Sequence, residues 1–434
     1  MQKKYLFPIY FISTIMILTL SFYLIKQIDP NFINSLLGIN IFESEDKTID
    51  NNLTSENNIT LSKGISSSDC TITSGYNSLN DSNEKKLYIA IKANADKITD
   101  EKYKNSSYYL LSPITISGAN LSTSQIKKVV YAFQFDNPEF FWISNLFNYS
   151  SGQNKTVVRL TSIFSRSEKE NAAKKFSQKI SEITAKASRQ PNEYEKELFV
   201  HDYLIDNCTY KKDSSNNYKI YTAYGCLIGK EAVCEGYSKA MQVLLCKLGI
   251  RCQTVTGSRD KEDHMWNVAK IDNKWYHVDV TWDCAGELQK YDYFNLSEEL
   301  TKKSHTINNV VTASSDFSQD KKYNFELPKC SSMEKNYLEI NSVKIENLND
   351  DTRQKIIKKL VSLASDKKKT IHLMIKNNYD SYKSKLFSEE PRLYFDCLKN
   401  ANTNLINGHK LSTTQSQFLE NKIQNVITLK LIYE

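Results

Sequence analysis

Residues 229–283 decide the fold, and they begin with GKEAVCEGYSKAMQVLLCKLGI and end with DHMWNVAKIDNKWYHVDVTWD. The first part predicts a buried helix that starts at Cys234 and ends before Gly249, a residue typical of helix C-caps. Its apolar side chains recur on one face: Tyr237, Met241, Leu244, Leu245 and Leu248. At a helix N-terminus the partial positive charge stabilises a thiolate, and free backbone N–H groups can hold an oxyanion. Two interpretations of Cys234 therefore remain open, a core cysteine and a reactive thiol.

The second part of the stretch predicts a β-hairpin, with strands at residues 265–271 and 275–282 and a two-residue turn between them. With that turn, His264 and Asp279 lie on one face as diagonal neighbours, with Cβ atoms about 7–8 Å apart. A shift of one residue would place them on opposite faces. A thiol, an imidazole and a carboxylate are the groups that a thiol nucleophile needs. Cys234, His264 and Asp279 therefore form the candidate triad.

Two further histidines, His277 and His201, lie in or near this stretch and need a role. His277 is the rival for the base, because it lies two residues before Asp279 and so on the same strand face. Its alternative role is that of a strand residue packed beside the site. His201 lies on the apolar face of a helix predicted over Glu193–Asn207, and we interpret it as a hydrogen-bonded core histidine.

The motifs around these residues resemble the bacterial transglutaminase-like domains of the papain-type cysteine superfamily. The resemblance rests on AVCEGYSKAMQVLLCKLGI and HMWNVAKIDNKWYHVDVTWD, with VHDYL, TAYGCLIGK and YDYFNLS around them. It covers roughly residues 193–328. It implies that Cys234 is the nucleophile, His264 the general base and acid, and Asp279 the orienting carboxylate. The oxyanion would be held by the backbone N–H of Cys234 and a second donor, for which Tyr224 and Tyr221 are the candidates.

The resemblance also implies a fold and a reaction. The fold is an α+β papain-like transglutaminase core, in which the helix bearing the nucleophile packs on an antiparallel sheet. The reaction is acyl transfer or hydrolysis on protein or peptide amides through a thioester. A papain-like cysteine peptidase is one alternative, and a non-catalytic cell-surface binding or scaffold protein is another. No cofactor is expected, and no metal, because no cysteine or histidine cluster has zinc-ligand spacing.

The N-terminus predicts a membrane anchor. Lys3 and Lys4 precede an apolar run at residues 5–25, which has about the length needed to span a bilayer. The basic flank favours a cytoplasmic N-terminus, with the rest of the chain outside the cell. Residues 1–26 are therefore predicted to be a single-pass signal anchor, and secretion after cleavage is the alternative. Nine cysteines leave at least one thiol unpaired, and Cys234 is the candidate for it.

The remaining chain divides by composition and periodicity. Residues 27–82 are predicted to be a polar stalk, 83–190 an N-terminal α+β module, 191–334 the catalytic domain and 335–434 a small α/β module. The net charge of +7 is opposed by 50 acidic residues, which favours a solvated mixed surface over a nucleic-acid site. The expected partners are an extracellular protein or cell-wall peptide substrate, and the membrane through the N-terminal helix.

Overall fold

The computed structural model describes residues 72–212, 217–312, 317, 322–406, 409–415 and 417–434. None of the helices in these ranges is long and apolar enough to cross a membrane. The predicted anchor at 1–26 and most of the predicted stalk at 27–82 lie outside the described residues. The folded body begins before the predicted boundary at 83, because Ile72 and Leu79 are already buried in the core.

The N-terminal module consists of four helices and a five-stranded sheet. In chain order these are α1 (Ser74–Asn77), α2 (Ser82–Asn94), β1 (Ile98–Lys102), β2 (Tyr109–Leu111), β3 (Ile114–Ser117), α3 (Thr123–Asp136), β4 (Ile143–Gly152), β5 (Lys155–Ser162) and α4 (Arg166–Ala187). The strand β5 lies at the centre of the sheet, where it pairs antiparallel with β2, β3 and β4. Serine residues at the N-caps of α3 and α4 form capping boxes that start both helices.

The predicted catalytic region (residues 191–334) packs one helix on an antiparallel sheet. Its elements are α5 (Glu193–Asn207), β6 (Thr209–Tyr210), a 3₁₀ turn (Tyr218–Tyr221), a π-helical turn (Gly225–Gly229), β7 (Glu231–Ala232), α6 (Cys234–Lys247), β8 (Cys252–Arg259), β9 (Glu262–Ile271), β10 (Lys274–Val278), α7 (Val280–Asp283), α8 (Glu298–Thr301) and β11 (Thr306–Ile307). The sheet runs in the order β10-β9-β8-β11, and α6 contacts β8 and β9. The protein is thus a mixed α+β structure, with Cys234 at the start of the central helix.

The predicted register of the hairpin is confirmed. Ile271 pairs with Lys274 across the turn, and the pairing continues without a shift along β9 and β10. The turn residues Asp272 and Asn273 both have positive φ, of 47° and 67°. This is the backbone of the two-residue turns that match the twist of antiparallel strands.

The second strand of the hairpin is shorter than predicted. We expected a strand over residues 275–282, but β10 ends at Val278 and Asp279 becomes the N-cap of α7. The Asp279 carboxylate accepts hydrogen bonds from the backbone N–H groups of Thr281 and Trp282, at 3.1 and 3.2 Å. Aspartate is among the best N-cap residues, so this local capping overrides the alternating pattern.

The distribution of the apolar core differs from the predicted division into modules. One continuous core includes residues from Ile72 to Phe325, so the N-terminal module and the catalytic region share it across the predicted boundary at 190. Gln242 of α6 donates a hydrogen bond to the carbonyl of Phe135 in α3, at 3.1 Å. The Phe135 ring lies 5.0 Å from the Phe325 ring. The N-terminal module is therefore a packing partner of α6.

The C-terminal module has its own apolar core within residues 343–431. Its elements are α9 (Tyr337–Asn341), β12 (Val343–Ile345), α10 (Asp350–Ser365), β13 (Thr370–Ile375), α11 (Tyr379–Phe387), α12 (Leu393–Asn404), β14 (Gln417–Asn421) and β15 (Val426–Lys430). The sheet order is β12-β13-β15-β14, with a parallel first pair and antiparallel others. Tyr337 stacks on Tyr291 of the catalytic region with ring centroids 3.6 Å apart.

Candidate active site

Cys234 is the first residue of α6, and its side chain is half-buried. The N-cap residue Val233 makes no side-chain hydrogen bond to the helix. Gly236, in the first turn, packs against the segment before it so closely that an added Cβ would lie 2.4 Å from the Ile220 carbonyl oxygen. This contact requires glycine and fixes the helix start. The sequence thereby holds the thiol at a rigid, electropositive helix end.

His264 and Asp279 meet across the hairpin. The His264 Nε2 atom lies 2.7 Å from Asp279 Oδ2, and both side chains are largely buried. The Cys234 thiol lies close enough to the same imidazole to raise its pKa. Since Nε2 is bound to the carboxylate, Nδ1 is the nitrogen left for the thiol. The structure therefore brings the three predicted triad residues together.

Electrostatics at this cluster favour a charged imidazole. Burial by itself would lower the pKa of His264, but the charge and hydrogen bond of Asp279 and the Cys234 thiol raise it to about 10. Burial would raise the pKa of Asp279, but the imidazoles of His264 and His305 hold it well below its usual range. An imidazolium between a carboxylate and a thiol is the arrangement that stabilises a thiolate.

The rival base, His277, has a different environment. Its Nδ1 atom accepts a hydrogen bond from Trp266 Nε1 at 3.0 Å, and the side chain is buried. Burial lowers the pKa of His277 to about 4, while the charge of Glu298 opposes this shift and those of His305 and Lys302 add to it. The imidazole is therefore neutral near pH 7, and its polar contact is with a strand tryptophan. The geometry favours His264 for the role of base.

The sequence analysis missed a third imidazole, His305, which precedes β11. Its Nε2 atom lies 3.0 Å from Asp279 Oδ2, and its Nδ1 atom lies 2.8 Å from Ser304 Oγ. His264, Asp279 and His305 could surround a metal ion, since their ligand atoms lie within 4.8 Å of one another. The same atoms already serve the hydrogen bonds among the three side chains, which account for this arrangement within the chain itself.

One segment of the chain that contains Cys234, His264 and Asp279 matches a known family. Residues 180–280 match the transglutaminase-like superfamily. The match includes Cys234, His264 and Asp279 and ends before Tyr291. No curated protein matches the chain.

Three solved structures align with parts of this chain. One is a TGase crystal structure, at 14% identity and a TM-score of 0.25, with 49% of this chain and 60% of that chain covered. A second is a proposed cysteine protease from Cytophaga hutchinsonii, at 16% identity and a TM-score of 0.22, with 29% of this chain and 52% of that chain covered. A third is a proposed protease from Parabacteroides distasonis, at 11% identity and a TM-score of 0.23, with 67% of this chain and 62% of that chain covered. The chain thus covers less than two thirds of each.

The two tyrosines predicted as oxyanion donors are placed differently. The Tyr224 ring stacks on Phe141 of the N-terminal module, with centroids 4.7 Å apart. This contact orients Tyr224 toward an aromatic cluster and gives no support to an oxyanion role. Tyr221 follows Ile220, whose carbonyl oxygen lies against Gly236 at the start of α6. Tyr221 stays a prediction for the second oxyanion donor.

A tyrosine that the sequence analysis did not single out, Tyr210, lies near the thiol. It is 44% exposed at the end of β6. Burial and then the charges of Cys234 and Glu262 raise the pKa of Tyr210 to about 12. Its phenol is therefore protonated near pH 7 and available as a donor beside the site. No sequence signal pointed to it, because its position depends on the β6–β7 pairing.

His201 is a core residue, as predicted. It is fully buried, with Nε2 3.0 Å from Asp283 Oδ2 and Nδ1 3.1 Å from Asp202 Oδ1. Burial would lower the pKa of His201, but the two carboxylates raise it to about 9. Both ring nitrogens are thus occupied by acidic side chains.

Cys234 is unpaired, as expected, but this property does not distinguish it. None of the cysteines in the described part of the chain forms a disulfide: Cys208, Cys226, Cys234, Cys246, Cys252, Cys284, Cys330 and Cys397. What distinguishes Cys234 is its place at a helix N-terminus, where it interacts with the His264 imidazole. Cys284, which is also half-buried, has its pKa raised to about 11, first by burial.

Proposed function

We propose that the chain is a transglutaminase-like cysteine enzyme with a papain-like catalytic core, and that Cys234 forms a thioester with an amide carbonyl of a protein or peptide. One observation carries the proposal: His264 Nε2 lies 2.7 Å from Asp279 Oδ2, and the same imidazole interacts electrostatically with the Cys234 thiol at the N-terminus of α6. This is the geometry of a thiol nucleophile with an oriented general base. His264 provides both the activation of the thiol and the proton for the leaving group.

In the first half-reaction, the Cys234 thiolate attacks the amide carbon and forms a C–S bond. The N-terminal N–H groups of α6, including that of Cys234, stabilise the oxyanion. The charged imidazole of His264 donates its proton to the amide nitrogen, and ammonia or an amine leaves as the C–N bond breaks. Asp279 holds the ring orientation throughout, through its contact with Nε2.

In the second half-reaction, a nucleophile attacks the thioester while His264 takes its proton. The C–S bond breaks, and the thiolate is regenerated beside the imidazolium. With an amine acceptor the product is a new amide, which cross-links or modifies the substrate. With water the product is an acid, so the enzyme deamidates a side chain or, as a papain-like peptidase, cleaves a peptide bond. The two outcomes share every residue named above.

Product analysis tests the proposal and separates the two outcomes. The full chain is incubated with a glutamine-containing protein, with and without a labelled primary amine, and a Cys234→Ala variant serves as the control. Incorporation of the amine that Cys234→Ala abolishes supports acyl transfer. Cleavage or deamidation without incorporation supports the hydrolase. Absence of both, with an unreactive Cys234, would instead fit a surface scaffold that keeps the fold.

We also propose that the enzyme acts outside the cell on an extracellular protein or cell-wall peptide. The support is the apolar run at residues 5–25 behind Lys3 and Lys4. An uncleaved anchor predicts that the chain stays with membranes after a high-salt wash. A mature N-terminus near residue 27 would contradict the anchor and support secretion.

A further inference from the structure

The carboxylate of Asp279 accepts four hydrogen bonds. Its Oδ1 atom accepts the backbone N–H groups of Thr281 and Trp282. Its Oδ2 atom accepts Nε2–H of His264 at 2.7 Å and Nε2–H of His305 at 3.0 Å. An ionised carboxylate has about four acceptor positions, so this group is saturated. Two imidazoles therefore share the one oxygen that orients the candidate base.

His305 is held firmly in this position. Its side chain is 4% exposed, and its Nδ1 atom is hydrogen-bonded to Ser304 Oγ at 2.8 Å. Its ring packs 4.9 Å from the Trp266 ring and 5.6 Å from the Tyr293 ring. Because a carboxylate oxygen only accepts, His305 must present N–H at Nε2. This requirement fixes its role as a donor to Asp279.

Building on the proposed function, we infer that His305 is a positioning residue that limits how strongly Asp279 holds the charge and the proton of His264. A hydrogen bond to Oδ2 withdraws negative charge from the oxygen that faces His264. Asp279 then stabilises the imidazolium enough to form the thiolate pair, while His264 remains acidic enough to protonate the leaving group. His305 acts through Asp279 and does not itself touch the reacting atoms.

The surroundings define which groups a test must consider. Cys234 and Asp279 face His264 directly. Tyr210 and Cys284 lie near enough to Asp279 to interact with its charge. Among the described residues, His264, His277 and Tyr293 also lie near the His305 ring. A matched control is therefore a change at His277, which lies beside His305 but bonds Trp266.

The test compares His305→Phe and His305→Gln in the full chain. Phe keeps a ring against Trp266 but removes the donor, whereas the Gln amide N–H can reach the carboxylate in place of Nε2–H. The readout is the pH profile of Cys234 alkylation by iodoacetamide, together with kcat/KM for amide acylation. We expect His305→Phe to move the alkaline limit of the profile upward by about half to one pH unit, since it removes one hydrogen bond.

The same change should lower kcat/KM for amide acylation by about tenfold, because His264 becomes a weaker acid toward the leaving amine. His305→Gln should restore both quantities, and His277→Asn should leave both as in the wild type. In an Asp279→Asn background, His305→Phe should have no further effect, because the carboxylate through which His305 acts on His264 has been removed.

The outcomes separate the inference from the proposed function. If wild-type Cys234 is alkylated no faster than Cys284, the proposed function fails. If Cys234 is reactive but His305→Phe matches the wild type, the inference alone fails. It also fails if His305→Phe retains its full effect in the Asp279→Asn background, or if His305→Gln gives no rescue. A loss of thermal stability with an unchanged pH profile would show a purely structural role.

Discussion

Two of the buried histidine–aspartate pairs in the described part of the chain look alike and differ in what they can do. His264 lies 2.7 Å from Asp279, and His201 lies 3.0 Å from Asp283. Neighbouring carboxylates raise the pKa of both histidines, to about 10 and about 9. A raised pKa and a short contact with aspartate therefore do not identify the reactive site.

The difference lies at the second ring nitrogen. In His201 that nitrogen is bound by a second carboxylate, from Asp202, and the ring is fully buried. In His264 it is left for the half-buried thiol of Cys234. A histidine enclosed by two acids stabilises packing, whereas one between an acid and a thiol can move a proton. The comparison shows that the group at the second ring nitrogen, and not the aspartate at the first, distinguishes the reactive histidine.

The largest expected effect is the loss of His264. His264→Ala removes the base and the positive charge beside Cys234, so kcat/KM for acylation should fall by about 10⁴-fold, or about 5 kcal/mol of barrier. His277→Asn should keep nearly full activity, because an Asn oxygen can accept the Trp266 N–H as His277 does. Steady-state kinetics on both variants checks this. The reverse ranking would make His277 the base.

A change at His201 should affect stability and not reactivity. His201→Ala leaves the Asp283 carboxylate buried and unpaired, so the free energy of unfolding should fall by about 3–5 kcal/mol. Urea denaturation measures this loss, and His409→Ala, at an exposed position, is the control with a change near zero. The alkylation rate of Cys234 in the folded variant should equal that of the wild type. A selective loss of that rate would mean that the two pairs are coupled.

The smallest expected effect concerns acid stability. Burial lowers the pKa of His277 from its usual value of about 6.5 to about 4, so the buried neutral ring stabilises the fold above pH 6.5. That contribution decreases as the pH falls from 6.5 through 4, by up to about 3 kcal/mol. His277→Asn should remove this part of the acid sensitivity in urea titrations. His372, whose pKa burial also lowers to about 4, remains as an internal control in the C-terminal module. If the wild type and His277→Asn lose the same free energy of unfolding as the pH falls, His277 is not a source of the acid sensitivity.

Local sequence signals predicted the parts of the site that depend on local structure. The start of α6 at Cys234 follows from helical periodicity, and the hairpin register follows from a turn whose two residues adopt positive φ. Together these place His264 near Asp279. The capping role of Asp279 was missed, because an aspartate in an alternating run also fits a strand.

The other missed features depend on tertiary packing. His305 reaches Asp279 from 26 residues further along the chain, after a short helix, and no spacing rule encodes that approach. Tyr224 was placed near the site by the resemblance, but the N-terminal module holds its ring. That module also shares its core with the catalytic region, which composition could not show because a shared core leaves no linker to detect.

The most direct test of the central claim is site-resolved alkylation of the full chain by iodoacetamide at pH 6, followed by mass spectrometry. Cys246, in the last turn of the same helix, and Cys284 are matched controls, because both are half-buried like Cys234. A thiolate held by the His264 imidazolium predicts that Cys234 reacts about 10²-fold faster than either control, and that His264→Ala abolishes the difference. Equal rates for the three thiols in the wild type would contradict the account.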